Sequence, residues 1–123
     1  MKWNFESDRP IYIQLVEKMK IAIISGKYKA GDRLPSVRDF AIEIKANPNT
    51  VQRAYLELEE EGLVLTQRTN GKFVTEDKNL IKKMREEIAK QSLEKFIDSM
   101  IELGFSKEEI REYIMLNYRK EKE

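Results

Sequence analysis

Apolar residues recur at steps of three and four along most of the chain, which is the spacing of one buried face of a helix. The first such stripe follows Pro10 and ends at Gly26. The second and third follow Ser36 and Asn47, residue types that cap helix N-termini, and the third ends at Gly62. The pattern therefore predicts three consecutive helices, with only a short turn between the second and the third.

A β-hairpin is predicted directly after the third helix. Two short runs of β-type residues, at 63–66 and 72–75, flank an Asn70-Gly71 pair, which is a strong signal for a tight turn. Two helices joined by a short turn and followed by a hairpin are the outline of a winged helix-turn-helix. We therefore predict an α+β, mostly α fold, with three helices and a β-hairpin wing forming a DNA-binding domain over 1–76.

The rest of the chain, 77–123, is predicted to form a two-helix dimerisation extension. An apolar stripe over 80–103 would make a helix about 36 Å long, too long to bury that stripe on so small a domain. A shorter helix follows from Ser106. We favour a two-fold homodimer over a hairpin that folds back on its own domain. The predicted interface consists of Ile81, Met84, Ile88, Leu93, Phe96, Ile97, Met100, Ile110, Tyr113 and Ile114.

The composition excludes the catalytic and metal sites that depend on Cys or His. The 123 residues include no Cys and no His, which excludes disulfides, Cys/His metal sites and Ser-His-Asp triads. Adjacent carboxylates such as Glu86 and Glu87 do not face one another on a helix. The longest aliphatic run, 21–24, is far shorter than the roughly 20 residues of a membrane span, and no apolar leader follows Met1. We expect a cytoplasmic protein that is not an enzyme and needs no cofactor or metal.

The net charge of +1, from 23 basic and 22 acidic residues, argues at first against a nucleic-acid partner. The charges are sorted, however. Segment 27–38 carries a net charge of +3, and segments 44–56 and 62–75 carry +2 each, whereas acids gather at 57–61. Local basic segments suit a phosphate backbone. They also disfavour the competing hypothesis, a non-catalytic protein-binding adaptor that retains the winged-helix shape.

The third helix carries candidate DNA-contacting side chains. If its apolar residues point inward, the N-terminal half presents polar groups that can bond base edges or phosphates. The alternative is that Asn47 and Thr50 only cap the helix and that the remaining side chains are solvated surface. The helix-turn-helix context favours DNA contact. The outward residues are Asn49, Thr50, Gln52 and Arg53, opposite the inward Val51, Ala54, Tyr55 and Leu58.

Four ordered motifs resemble the GntR family of bacterial transcription regulators. They are Pro-Ile-Tyr-x-Gln at 10–14, Gly-Asp-Arg-Leu-Pro-Ser-Val-Arg at 31–38, Asn-Pro-Asn-Thr-Val-Gln-Arg-Ala-Tyr at 47–55 and Glu-Gly-Leu-Val at 61–64. The Asn-Pro-Asn-Thr-Val run and the short C-terminal extension resemble the YtrA-type branch. The resemblance implies a homodimeric, sequence-specific regulator, most often a repressor, on a pseudo-palindromic operator of double-stranded DNA.

The resemblance also implies which residues contact DNA: the Arg of the Leu-Pro-Ser-x-Arg motif, the start of the third helix and the tip of the wing. This chain departs from many relatives at two places. They have Ser/Thr-Arg where this chain has Asn47-Pro48, and their wing carries an Arg-Gly-x-Gly pattern that is absent here. The operator sequence of those relatives therefore cannot be assigned to this protein. The resulting set is Arg38, Asn47, Asn49, Thr50, Gln52, Arg53, Thr69, Asn70, Gly71 and Lys72.

The segment after Glu76 is too short for the larger effector-binding domains of most relatives. A crevice at the dimer interface is one place where an unidentified small-molecule effector could bind. The side chains available to line such a crevice are Phe96, Met100, Tyr113 and Tyr118. We favour a role for them in core or interface packing over one in ligand binding.

Overall fold

The computed structural model describes residues 3–68 and 71–122, with side chains as far as Tyr118. Within these residues, five helices and one antiparallel hairpin follow one another in the predicted order, which confirms the mostly helical α+β fold. The starts of α2 and α3 are as predicted, whereas the bounds of the two strands and of α4 differ from the prediction by one or two residues. The elements are α1 (Ile11–Ile24), α2 (Val37–Ile44), α3 (Pro48–Glu60), β1 (Val64–Gln67), β2 (Gly71–Val74), α4 (Lys78–Glu102) and α5 (Lys107–Lys122).

The turn between α2 and α3 is defined by local hydrogen bonds. The Ser36 hydroxyl accepts a bond from the Asp39 N–H at 3.0 Å and caps α2. Lys45 ends α2 in the left-handed region, at φ 58°. The Asn47 side-chain oxygen then accepts from the Asn49 N–H at 2.8 Å, so the predicted cap of α3 is confirmed. This tight connection orients α3 relative to α2.

The core lies where α1 and α2 pack against α3. The four inward residues predicted for α3 are all fully buried, as the helical spacing requires. The buried Tyr55 hydroxyl donates a hydrogen bond of 2.6 Å to the Pro35 carbonyl, which ties α3 to the chain entering α2. The core consists of Leu15, Val16, Met19, Ile23, Leu34, Phe40, Ala41, Val51, Ala54, Tyr55, Leu58, Leu63, Val64 and Val74.

The wing has a third, short partner that the sequence did not predict. Strands β1 and β2 pair with Val64 opposite Val74. The segment 32–34, for which no strand was predicted, pairs antiparallel with β2 at Arg33 and Phe73. The Leu34 N–H donates to the Lys72 carbonyl, and the Val74 N–H donates to the Asp32 carbonyl, both at 2.8 Å. The base of the wing is therefore anchored to the segment before α2.

The chain divides into two compact units, the first ending at Arg85 and the second beginning at Glu86. The first turns of α4 belong to the first unit, where Leu80, Ile81 and Met84 pack against the winged-helix core. That unit therefore extends past residue 76, where the sequence analysis had placed the domain boundary. Ile81 and Met84, predicted for a dimer interface, have contacts within their own chain.

The second unit buries few apolar side chains and leaves many exposed. Ser106 and Glu109 form a capping box at the predicted start of this helix, each backbone N–H donating to the other's side chain. Met100 and Ile110, also predicted for the interface, are buried within the chain. By contrast, large hydrophobic side chains remain exposed, among them Leu93, Phe96, Ile101, Leu103, Tyr113, Ile114, Met115, Leu116 and Tyr118. None of the described helices is long and apolar enough to cross a bilayer.

Candidate nucleic-acid interface

The N-terminal half of α3 presents a polar face above the core. Asn49, Gln52 and Arg53 are exposed, and Thr50 is half-buried. The Asn47 carboxamide oxygen is engaged in the helix cap, which leaves its NH₂ group able to donate. The free N–H groups and positive dipole end of a helix start favour a phosphate. Polar donors and acceptors thus stand on the half of α3 that a helix-turn-helix inserts into the major groove.

Arg53 is held in place by an aromatic ring from α1. Its guanidinium carbon lies 3.6 Å from the ring centroid of Tyr12, a stacked cation–π contact. Stacking uses the face of the guanidinium and leaves its N–H edge available for bidentate contact with a base or a phosphate. Tyr12 therefore orients Arg53 before any ligand binds. In the sequence, Tyr12 stands out only as part of the Pro-Ile-Tyr-x-Gln motif at 10–14, which does not reveal this role.

Arg38 lies in the first turn of α2 and is exposed. Within the described part of the chain it forms no salt bridge. The helix that carries it packs against α3. In a helix-turn-helix, the first helix (here α2) crosses the DNA backbone and the second, the recognition helix (here α3), enters the major groove. A cation on α2 without an ion pair is therefore suited to a backbone phosphate.

The wing differs most from the sequence-based assignment of contacts. Thr69 and Asn70 lie outside the described residues, and Gly71 opens β2 with φ +94°, a conformation that favours glycine. The Lys72 ammonium lies 2.8 Å from Glu59 Oε1 and 3.0 Å from the Thr66 hydroxyl, and its side chain is only 13% exposed. Its position therefore supports a role in joining the wing to α3 rather than in contacting DNA.

Glu59 completes this polar junction between α3 and the wing. Its partial burial opposes ionisation, but hydrogen bonds from Lys72 and Thr66 prevail and lower the pKa of the Glu59 carboxyl below its usual value. The carboxylate accepts from both partners at once. The junction positions the hairpin relative to the recognition helix.

Arg33, which is not in the predicted set of DNA-contacting residues, lies beside the wing. The Arg33 Nη2 lies 3.6 Å from the position that a Cβ would occupy at Gly71. Arg33 is exposed, while the next residue, Leu34, is buried. The alternation of a polar and an apolar residue at 33 and 34 is visible in the sequence. Only the antiparallel pairing of 32–34 with β2, however, shows that Arg33 lies next to the wing.

Internal ion pairs reduce the negative charge at the far end of α3. Glu59 is paired with Lys72, and Glu61 is paired with Lys20 at 2.8 Å. The acids predicted to offset the basic segments are thus partly neutralised inside the chain. Among the described side chains, no group of three acids is arranged to hold a metal ion.

Comparison with known proteins agrees with this geometry. The sequence signature described as "Bacterial regulatory proteins, gntR family" matches residues 11–74. The helix-turn-helix-type transcriptional regulator YhcF of Bacillus subtilis is 40% identical over 111 residues, which cover 90% of this chain and 92% of YhcF. The transcriptional repressor YtrA of the same organism is 39% identical over 109 residues, which cover 88% of this chain and 84% of YtrA.

A solved structure extends the agreement to three dimensions. A GntR family transcriptional regulator from Listeria monocytogenes superposes with a TM-score of 0.84 at 45% identity, covering 90% of this chain and 97% of that one. The match includes the helical region after the wing, so it is not limited to the winged helix. The chain belongs to the GntR family of bacterial regulatory proteins, in its YtrA-like branch, and it is a DNA-binding regulator of transcription.

Proposed function

We propose that this protein is a homodimeric repressor that binds a pseudo-palindromic operator in double-stranded DNA and blocks transcription by occupying it, without a cofactor. One observation carries the proposal: the exposed polar start of α3, with Arg53 stacked on Tyr12, stands on a core of fully buried side chains. A DNA-contacting face requires exposed donors on a rigid support. YtrA, a relative of similar length, is a transcriptional repressor.

Each element has a distinct role in this proposal. Asn49, Thr50, Gln52 and Arg53 contact base edges in the major groove, where amides and guanidinium groups distinguish bases by bidentate bonds. The start of α3, including Asn47, contributes N–H donors to a phosphate. Arg38 contacts the backbone and fixes the register.

The wing would contact the neighbouring minor groove. The contact residues proposed there are Thr69, Asn70 and Gly71, and the exposed Arg33 and Arg68 supply positive charge. Arginine is well suited to this position because the narrow minor groove concentrates negative potential. Lys72 contributes indirectly, by holding the hairpin against α3.

The exposed apolar side chains of the second unit support a two-fold dimer. Leu93 is 52% exposed, Tyr113 48%, Phe96 41% and Ile114 39%. Contiguous exposed apolar surface commonly marks a protein interface. A dimer would present two α3 helices to half-sites about one helical turn, roughly 34 Å, apart.

The test of DNA recognition begins with selection of bound sequences from a random DNA pool by the full-length protein. We expect a motif with two-fold symmetry. Arg53→Ala and Arg38→Ala should then weaken binding to that operator by about 1–3 kcal/mol, whereas Lys95→Ala, the same charge loss on an exposed residue of the second unit, should change little. Unchanged affinity in both arginine variants would rule out this DNA face.

Salt dependence separates the repressor from the adaptor hypothesis. The logarithm of the binding constant should fall against the logarithm of salt concentration with a slope of about −0.9 per phosphate neutralised. The Arg38→Ala variant should reduce that slope by about one. A slope near zero would favour a protein-binding adaptor.

The dimer is tested with Leu93→Lys, which places a charge on the exposed apolar surface. Gln91→Lys, with the same added charge on the same exposed helix, is the matched control. Sedimentation should show a monomer for Leu93→Lys and a dimer for both the control and the unaltered protein. A Leu93→Lys protein that sediments as the unaltered protein does would contradict the proposed interface.

A further inference from the structure

The first unit contains a second feature that DNA binding does not use. An open groove of about 410 Å³ lies between the end of α1, the turn that follows it and the first turns of α4. The apolar part of its lining includes Ile23, Ile24 and Ile81. The volume falls within the range of small-molecule sites, roughly 300–1,000 Å³. We call this feature the basic groove because of the charged residues that line the rest of it.

Four cations and no acid line the basic groove: Lys29, Lys78, Lys82 and Arg85. Three of them lie on α4 at i, i+4 and i+7 and share one helix face, where like charges repel. None of the four forms a salt bridge with any other described residue. This face therefore carries concentrated positive charge that no ion pair among the described residues neutralises.

No acid close in sequence to these cations lines the groove, not even those at 77 and 86 that directly flank them. The Asp32 carboxylate accepts a hydrogen bond of 2.7 Å from the Lys29 backbone N–H. Glu76 lies against Gly31, with Oε1 3.1 Å from the position that a Cβ would occupy there. The groove thus keeps a positive lining beside an apolar surface, and the complementary ligand is apolar at one end and negative at the other.

The basic groove is remote from the proposed DNA face. Ile24 at the end of α1 is twelve residues from Tyr12, or about 18 Å along the helix axis. Tyr12 supports Arg53, whereas the later turns of α1 approach the acidic end of α3 through Lys20. The cations of the groove, including Lys29 from the basic segment 27–38, therefore lie apart from Arg53 and the proposed DNA face.

We propose that the basic groove binds a small amphipathic anion, consisting of a short apolar body that carries a phosphate or a carboxylate. The apolar body contacts the isoleucines, and the anionic group contacts the cations contributed by α4 and by Lys29. The site lies within one chain, unlike a crevice at a dimer interface. Its existence does not depend on the proposed repressor function, and binding can be measured without DNA.

The experiment is an NMR titration of the ¹⁵N-labelled full-length protein at constant ionic strength. The probes are hexyl phosphate, hexanoate, inorganic phosphate and hexanol. Hexyl phosphate should shift amide resonances over 23–30 and 78–85 and saturate, with an affinity at least about tenfold above those of inorganic phosphate and hexanol. Comparison with hexanoate identifies which anionic group the site prefers. The absence of saturable shifts in these two segments, or shifts confined to the second unit, would overturn the proposal.

A matched pair of double variants distinguishes a site from general attraction. Lys78→Gln with Lys82→Gln should weaken hexyl phosphate binding about tenfold. Lys90→Gln with Lys95→Gln removes the same charge from exposed positions of the same helix and should leave the affinity unchanged. An equal loss in both pairs, or no loss in either, would overturn the proposal. The wild-type shift map remains decisive if a variant fails to fold.

Discussion

The contact between Arg53 and Tyr12 leads to a quantitative prediction about how the recognition helix is preorganised. Tyr12→Leu removes the ring beneath the guanidinium, whereas Tyr12→Phe keeps a ring at the same place. Neither change alters the charge of the protein. The leucine variant should therefore weaken operator binding, and the phenylalanine variant should retain most of the wild-type affinity.

The magnitude follows from the geometry. At 3.6 Å from the ring centroid and on an exposed side chain, a cation–π contact contributes about 0.5–1 kcal/mol. Without it, ordering the long Arg53 side chain on DNA costs a similar amount, about 0.5–1.5 kcal/mol. We expect Tyr12→Leu to raise the operator Kd by roughly two- to tenfold, measured by fluorescence anisotropy with the selected operator.

A double-mutant cycle tests the physical reasoning directly. In an Arg53→Ala background there is no guanidinium to orient, so Tyr12→Leu should have almost no further effect on the Kd. A leucine penalty of the same size in both backgrounds would show that Tyr12 affects DNA binding by another route and would refute the positioning role.

Three further predictions concern stability and use urea unfolding of the full-length protein. Tyr55→Phe should lower the unfolding free energy by about 1–3 kcal/mol, because it leaves the Pro35 carbonyl without its hydrogen bond; an unchanged value would mean that water replaces that bond. Ser36→Ala should cost about 1 kcal/mol through loss of the α2 cap, whereas Ser36→Thr should recover part of it. The pKa of Glu59 is lowered in the folded state, so its contribution to stability is present above its unfolded pKa of about 4.3 and disappears as the pH falls through the folded pKa. Glu59→Gln should flatten that acidic part of the stability curve, and an unaltered curve would exclude the Lys72 pair as its source.

Local signals in the sequence were sufficient for the helices. Each predicted cap is a contact within four residues, and the side-chain bonds at Ser36, Asn47 and Ser106 confirm them. The inward face of α3 also followed from spacing alone, because a helix fixes which residues share a side. The exposed set at the start of α3 was therefore predictable.

Contacts between distant segments were not predictable in the same way. Tyr12 contacts Arg53, and Arg33 lies beside Gly71, only because tertiary packing brings those distant segments together. An apolar stripe does not indicate that one of its aromatic rings supports a cation on another helix. For the same reason, the periodicity of α4 could not show that Ile81 and Met84 pack on their own domain while Leu93 stays exposed.

For DNA binding, which cations are paired within the chain matters more than the net charge of the protein. Lys72 supplies one of the two positive charges in the wing segment 62–75. Its ammonium is paired with Glu59, however, and therefore contributes little to the electrostatic potential at the surface. Arg33, counted in the segment before α2, lies next to the wing and restores the missing charge. The salt slope should therefore respond to Arg33→Ala and hardly at all to Lys72→Met, although Lys72→Met should loosen the wing. If Lys72→Met reduced the slope by as much as Arg33→Ala, the ammonium would have to leave Glu59 for a phosphate when DNA binds, and the junction between α3 and the wing would be a switch rather than a fixed joint.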